Sequence, residues 1–520
     1  MRSAEYTLGI EFGSTRIKVA LVDPSMAVVA GGSHTWENQL INGQWSYRLE
    51  DVWTGVREAY AQMASQAETV LGEPLTTVNA IGISAMMHGY LAFDDEGELL
   101  VPFRTWRNTT TAQASEELTR ALNFTIPQRW SIAHLYQCVL NGEEHVPRID
   151  FLTTLAGYVH HMLTGEKVLG VCDASGMFPI GADHDWDRDR LAVAQELLDA
   201  HHAGVKLDCI LPTVCDAGQI AGRLTERGAL LLDPTGRLQP GIPLCPPEGD
   251  AGTGMVATNA VAPCTGNISA GTSIFAMIVL DHELAHLHPE IDLVTTPAGD
   301  PVAMVHCNNG ASEIDAWAQV FGEFCERLGN PLGGARIFDI LFHAALEGDS
   351  DGGGLLAYNY LAGEHITGLD EGRPLIVRTP SSHLNLENLM RTLIMSSFAT
   401  LSLGMRILTE ENVRVDKMFA HGGLFATESV AQRLLAAALG APVSVGRTAS
   451  EGGAWGMAVL AAYAADPEGM GLAEYLSSRV FAGAQVTTVA PDPADQEGYE
   501  RFLAAYERGL AIERTAVENC

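Results

Sequence analysis

The stretch Leu8-Gly-Ile-Glu-Phe-Gly-Ser-Thr-Arg-Ile-Lys-Val-Ala-Leu-Val-Asp23 reads as two apolar strands joined by a tight turn. A carboxylate, Glu11, closes the first strand, and Gly13, Ser14 and Thr15 form the bend. Glycine lets the backbone come close to a ligand, and hydroxyls with turn amides can grip phosphate oxygens. A hard metal ion riding on those phosphates would want an oxygen ligand where Glu11 stands. Taken alone, the stretch is equally an ordinary hairpin with polar turn residues.

The pattern returns in the second half of the chain. Between Cys264 and Leu280 the residues Gly-Asn-Ile-Ser-Ala-Gly-Thr-Ser-Ile-Phe-Ala-Met-Ile-Val-Leu again make a strand, a turn at Gly271, Thr272 and Ser273, and a strand. Two copies, each opening an α/β stretch, point to duplicated domains facing one another. The Pro/Gly-rich segment Asp233 to Gly249 resists regular structure and marks a junction between them.

Composition narrows the field. The chain has 520 residues, enough for two large domains, and 47% are apolar, which excludes disorder. With 31 Lys plus Arg against 64 Asp plus Glu, the net charge of −33 argues against a nucleic-acid partner. Nine dispersed cysteines form no CxxC pair, and no Cys/His spacing suits zinc, so they read as buried thiols in a reducing compartment. No basic-then-apolar leader opens the chain, and no apolar run approaches the ~18 residues that span a membrane. These features place the protein in the cytoplasm, without a membrane partner. The oligomeric state stays open, a homodimer being one allowed outcome.

Periodicity sketches the remaining elements. Leu49 to Leu71 is an amphipathic helix, Val78 to Ser84 a strand, and Tyr90 to Asp95 with Glu98 to Phe103 a hairpin. Helical patterning runs from Ala112 to about Leu163, Val168 to Ala174 reads as a strand, and Arg188 to Ala203 as a helix. Farther on, Pro301 to Cys307 is a strand, and Glu313 to Arg327 and Asn385 to Thr409 are helices. Lys417 to Ala420 is a strand followed by His421-Gly-Gly and the helix Ala426 to Leu439. Glu451 to Ala465 is a Gly/Ala-rich helix able to pack closely on a backbone.

Three further pieces carry chemistry. Asp250, in Glu-Gly-Asp-Ala-Gly-Thr-Gly-Met, is either a helix N-cap or a base for a hydroxyl attacking a phosphoryl group. Met87 and His88 follow a strand and precede Gly89, so His88 is either a structural histidine or a hydrogen-bond partner for a polyol. Gly422 and Gly423 make either a bare turn or a floor for a base or ribose.

The order of these pieces, with Glu451 to Ala458 (Glu-Gly-Gly-Ala-Trp-Gly-Met-Ala), closely resembles the FGGY carbohydrate kinase family over residues 6 to 465. The resemblance implies an α/β protein of two ribonuclease-H/actin-like ATPase domains facing across a central cleft, residues 1–250 and 251–475. A helical extension would follow at 476–520. It implies ATP and Mg2+ as cofactors and a small sugar as substrate. On the matching positions, Asp250 is the catalytic base and also touches substrate and metal, and Glu11 supports the magnesium. Gly13, Ser14, Thr15 and Lys18 contact phosphate in the first loop, Gly271 and Thr272 in the second. Gly422, Gly423 and Thr427 lie on the adenosine side. Met87, His88 and Trp106 resemble the sugar side of the xylulokinase branch.

This chain departs from the family pattern at three places. Glu11 stands where Asp is usual, Ala251 where xylulokinases carry Asn, and Trp106-Arg107-Asn108 where Trp-Asn-Asp is usual. The implied activity is phosphorylation of the terminal hydroxyl of a ketopentose, D-xylulose first. L-Ribulose, another ketose or a polyol is the alternative within the class. An actin- or chaperone-like ATPase is the alternative outside it.

Overall fold

A computed structural model describes residues 5–446, 452–466 and 469–520. Packing divides the chain into two compact units: 1–261 with 292–302 and 451–484, and 262–291 with 303–450 and 485–520. Each carries one large mixed sheet with helices.

In the first unit the opening hairpin forms as read. Strands β1 (Thr7–Phe12) and β2 (Arg16–Val22) pair antiparallel, and β3 (Val28–Thr35) continues the meander. On the other side of β1 runs β4 (Ala80–Ala85), parallel to it. Two short pieces, β5 (Gly222–Arg223) and β6 (Pro243–Leu244), complete the order β5-β6-β4-β1-β2-β3. Next to the upper half of β4 lies β7 (Glu248–Gly249), also parallel. The register aligns Glu11 with Ser84 and Ser84 with Glu248, so three strands end along one edge of the sheet.

Two helices fix this sheet. Leu49–Leu71 lies against β3 and buries Val52, Val56, Ala59 and Met63 at one-turn spacing. The Gly/Ala-rich helix Gly452–Ala465 packs on β1 and β4. Its approach is close because Gly9 and Gly82, paired across the two strands, present no side chain to it. A β-carbon at Gly82 would stand 2.7 Å from the Met457 carbonyl. Glu451, the expected first residue of that helix, lies outside the described residues.

The Pro/Gly-rich segment does not end the first unit. Asp233 knots it through the amides of Thr235, Arg237 and Leu238, β6 and β7 then join the sheet, and the unit runs on to Val261. Other readings shift too. The helical stretch from Ala112 breaks into Ala112–Leu122, Ser131–Leu140 and Leu155–Thr164, with a strand at Phe151–Thr153. That strand pairs with Leu91–Phe93, leaving only bridges Tyr90–Arg104 and Phe93–Leu99 of the expected hairpin. Val168–Gly170 is a strand, but the chain turns into the helix Val171–Ser175 where Asp173 reaches Thr154.

The second unit repeats the hairpin. β8 (Thr265–Ala270) pairs antiparallel with β9 (Ile274–Val279), and six of the seven strands of the sheet run in the order β10 (Pro301–Cys307), β9, β8, β11 (Lys417–His421), β12 (Val443–Gly446), β13 (Val486–Val489). β11 runs parallel to β8 with Ser269 opposite His421, so the turns after β8 and β11 leave the same edge. The helix expected at Ala426 starts only at Val430, after a short turn over Gly423–Phe425. Residues beyond 476 contribute β13 as well as the helix Pro493–Asn519. Asp495 fastens that helix through Arg391 and Arg433, both at 2.5 Å.

One expectation fails on length. Helix Leu386–Glu410, capped by Asn385, is long and apolar enough to cross a membrane. Most of it is buried within the second unit, which accounts for its apolar character as a core helix. All nine cysteines are unpaired.

Candidate active site

The parallel register of β1, β4 and β7 decides the geometry of the first unit. Chemistry collects where parallel strands end, because each strand then delivers its following loop to the same edge. Here β1 delivers Glu11 and the Gly13–Thr15 turn, β4 delivers Met87 and His88, and β7 delivers Asp250.

Asp250 is the first residue of helix Asp250–Ala257, and Gly249 holds the N-cap position, so the side chain is not the cap. Its Oδ1 instead accepts the Met87 amide at 3.1 Å. The carboxylate is thereby pinned beside the Met87–His88 turn. Burial pushes its pKa up to about 6; the Met87 amide opposes this and the charge of Glu11 adds to it.

Glu11 is mostly buried, and its Oε2 has no hydrogen-bond partner. Lys18, its cross-strand neighbour, stands 3.6 Å away, just beyond hydrogen-bond reach. The start of helix Gly452–Ala465 closes over it: a β-carbon at Gly453 would lie 2.6 Å from Glu11 Oε1 and 3.0 Å from Thr253 Oγ1. An orphaned buried carboxylate oxygen of this kind suits a divalent cation with oxygen ligands. Lys18 is thus an ion-pair neighbour of Glu11, with its own side chain 40% exposed.

The Gly13–Thr15 turn is held by its carbonyls. Trp36 Nε1 donates to Gly13 O at 2.7 Å, Tyr47 Oη to Ser14 O at 2.7 Å, and the Trp36 amide to Thr15 O at 3.1 Å. Trp36 and Tyr47 stack on each other, which makes a rigid aromatic base for the loop.

Met87 and His88 are buried. His88 adopts φ +68, in the left-handed region, and its Nδ1 lies 3.1 Å from Gly176 O with the ring stacked on Trp130. A non-glycine residue held in that region next to Asp250 is backbone strain at the place where a ligand pocket is expected. Trp106 is exposed on the turn after Arg104. Its neighbours have structural duties: Arg107 lies 4.4 Å over the Trp45 ring, and buried Asn108 exchanges two hydrogen bonds with the Trp45 backbone.

Sequence reasoning missed Asp173 and the role of Glu248. Both are fully buried behind Asp250: Asp173 accepts Thr154 Oγ1 at 2.6 Å, and Glu248 accepts the Asp173 amide at 3.0 Å. Burial raises Asp173 to about 7, with Thr154 opposing and Asp250 adding to the rise. Burial, then Asp173, holds Glu248 well above the usual carboxylate range. The available signal was an acid inside the apolar run Val168-Leu-Gly-Val-Cys-Asp-Ala.

In the second unit the Gly271–Ser273 turn is closed by Gly271 N to Ser273 O at 3.0 Å. The amides of Gly310 and Ala311 bind the carbonyls of Thr272 and Gly271 at 2.8 and 2.9 Å. Gly310 has no room for a side chain, since a β-carbon would collide with Gly271 O and Thr272 O. Gly422 and Gly423 are exposed at the end of β11, and Thr427 is half-buried before helix Val430–Leu439. A groove of about 670 Å³ in the same unit, walled by Trp317, Phe321, Ile376 and Leu389, includes none of these residues.

A strand-turn-strand with a polar bend opening each sheet, and a carboxylate delivered beside the first bend, define a class of phosphate-handling α/β proteins. The chain belongs to the FGGY family of carbohydrate kinases: the N-terminal domain of that family matches residues 6–256 and the C-terminal domain residues 266–465. Among curated relatives, a xylulose kinase of Staphylococcus xylosus is 23% identical over 234 residues, 43% of this chain and 45% of that protein. The chain thus aligns with less than half of that relative's length. A xylulose kinase of Haemophilus influenzae is 21% identical over 97% of this chain and 98% of its own. Among solved structures, xylulose kinase from Rhodospirillum rubrum superposes with a TM-score of 0.79 at 19% identity, covering 98% of each chain. Gluconate kinase from Lactobacillus acidophilus does so at 0.77 and 17%, again covering 98% of each. The fold is the two-domain, actin-like ATPase fold of that family.

Proposed function

We propose that this protein is an ATP-dependent sugar kinase that phosphorylates the terminal hydroxyl of a ketopentose, D-xylulose first. The observation that carries the reading is Asp250 fixed by the Met87 amide, with His88 beside it and Glu11 on the neighbouring strand. The substrate hydroxyl gives its proton to Asp250 as its oxygen bonds to the γ-phosphorus of ATP. The bond from that phosphorus to the bridging oxygen breaks, and ADP leaves. Met87 and His88 orient the sugar, and Trp106 lies on its approach. Gly13, Ser14 and Thr15 in the first unit hold phosphate, as Gly271 and Thr272 do in the second, while Gly422, Gly423 and Thr427 receive adenosine. Glu11, with Asp250, would hold Mg2+; the bound ion supplies neutralisation of phosphate charge. Lys18 reaches phosphate only in concert with Glu11. The xylulose kinases named among the relatives support D-xylulose as first choice.

Ala251 and Arg107 favour L-ribulose, another ketose or a polyol as the second reading. Arg107 stacked on Trp45 weakens its part in that argument. We place the protein in the cytoplasm, a reading its nine unpaired thiols support. A coupled assay of ADP release across ketoses and polyols tests all of this. D-Xylulose should give the highest kcat/KM. A higher value for L-ribulose or a polyol moves the substrate and keeps the class, whereas ADP release that no sugar stimulates overturns the kinase reading in favour of an actin- or chaperone-like ATPase.

A further inference from the structure

The loop after β9 reads Asp281-His-Glu-Leu-Ala-His-Leu-His288, three histidines within seven residues. Its partner is remote: Glu411, the residue that follows helix Leu386–Glu410. In the second unit His286 Nδ1 lies 2.8 Å and His288 Nε2 2.6 Å from the same oxygen, Glu411 Oε1. The other carboxylate oxygen accepts the Ala285 amide at 2.7 Å, which fixes the orientation of Glu411. His282 braces the loop further, with Nε2 3.0 Å from the Glu411 carbonyl and Nδ1 2.7 Å from Asp281.

Two imidazoles therefore converge on one buried carboxylate from different directions, their rings inclined at 70°. All the donor atoms lie within 4.8 Å of one another. Zinc bonds of about 2.0–2.2 Å to nitrogen and oxygen set tetrahedral ligands about 3.3 Å apart. Parting the His286 nitrogen from Oε1 by about 0.5 Å and the His288 nitrogen by about 0.7 Å meets that spacing, a small movement for the exposed His286 and the half-buried His288.

A second cluster of similar compactness shows what excludes a metal. Cys138, Glu143 and His145 also lie together, but Arg104 already fills the cation position. It bonds both oxygens of Glu143 and the Cys138 sulfur, while His145 Nε2 is engaged with the Tyr90 hydroxyl. Among the described residues no arginine or lysine is paired with Glu411.

We propose that His286, His288 and Glu411 bind one divalent transition-metal ion, zinc being the best fit, with water completing the shell. Imidazole and carboxylate ligands suit such an ion, while magnesium prefers an all-oxygen set. The ion staples the loop after β9 to the end of the long core helix, apart from the residues assigned to phosphoryl transfer.

The test uses the full chain without an affinity tag, stripped of metal and titrated with Zn2+ by calorimetry and with Co2+ by visible absorption. The wild type should bind one equivalent at this site, with a rise in Tm. His286→Ala/His288→Ala should lose at least about ten-fold in affinity, together with the cobalt spectrum and the Tm rise. Sugar-stimulated ADP release with Mg-ATP should be unchanged. Glu411→Gln should also weaken binding. Because Cys209 and Cys520 are exposed, Cys209→Ser/Cys520→Ser should bind as the wild type does. Equal binding by the double-histidine variant, loss of binding only in the cysteine variant, or no binding by the wild type overturns the proposal.

Discussion

The two hairpins that open the two sheets share a plan and differ in what they hold. In each, a strand ends in glycine and two hydroxyl residues, Gly13-Ser14-Thr15 and Gly271-Thr272-Ser273. In each, a parallel neighbour, β4 or β11, delivers a second loop to the same edge. The first hairpin carries charge next to its bend, with Glu11 opposite Lys18; at the corresponding place the second has Ser269 opposite Phe275. The parallel neighbours differ in the same sense, one supplying Met87 and His88 and the other two bare glycines. The shared frame is the antiparallel hairpin with a parallel strand beside it. Under the proposed function, this asymmetry assigns the reacting end of the ligand to the first unit and recognition by backbone to the second.

The largest expected effect breaks the comparison on its reactive side. Asp250→Ala should cut kcat by about 10²–10⁴-fold, the usual worth of a general base, with ATP affinity largely kept. Near-normal turnover would remove the distinction between the units. Glu11→Ala comes next: it should lower kcat and raise the Mg2+ concentration needed for half-maximal rate, which a metal titration reads. If Ser269→Ala in the second hairpin had the same metal phenotype, the charge asymmetry would not be the functional one.

On the recognition side, Gly310→Val should raise the KM for ATP by about ten-fold, because its side chain would displace the carbonyls of Gly271 and Thr272. An unchanged KM would show that the second turn need not be held. The smallest effect is on stability. Asp173 keeps its proton to about pH 7 in the folded chain against 3.8 ordinarily. The folded state then binds more protons than the unfolded one between those values, so stability falls as pH rises from about 4 to 7. Asp173→Asn should remove that loss: its Tm should exceed the wild type's at pH 7.5 by more than it does at pH 4. A constant difference across the range would mean that Asp173 is ionised in the fold.

Much of this was legible in the chain. The β1–β2 and β8–β9 hairpins, the helix Leu49–Leu71, and the close packing of the Gly/Ala-rich helix follow from local patterns that single residues enforce. Asp250, Glu11 and the Met87–His88 turn could be picked out because polar residues interrupt apolar strands at their ends. Asp173 showed only as an acid in an apolar run, and its partners Thr154 and Glu248, 19 and 75 residues away, did not show at all. A longer separation, 125 and 123 residues, hid Glu411 from His286 and His288. The strand expected at Val168–Ala174 forms only over Val168–Gly170, and the helix Val171–Ser175 that follows carries the acid that meets distant Thr154.

What the sequence by itself determined is the repeated strand-turn-strand frame and the residue types at its bends, because turn chemistry and hydrophobic period are local. What only the tertiary structure decided is which of those residues meet. Parallel strand register put Glu11, Ser84 and Glu248 in one row, and with them Met87 and Asp250 at one edge. Register depends on contacts between distant segments, and burial among those segments is what sets the protonation of Asp250 and Asp173.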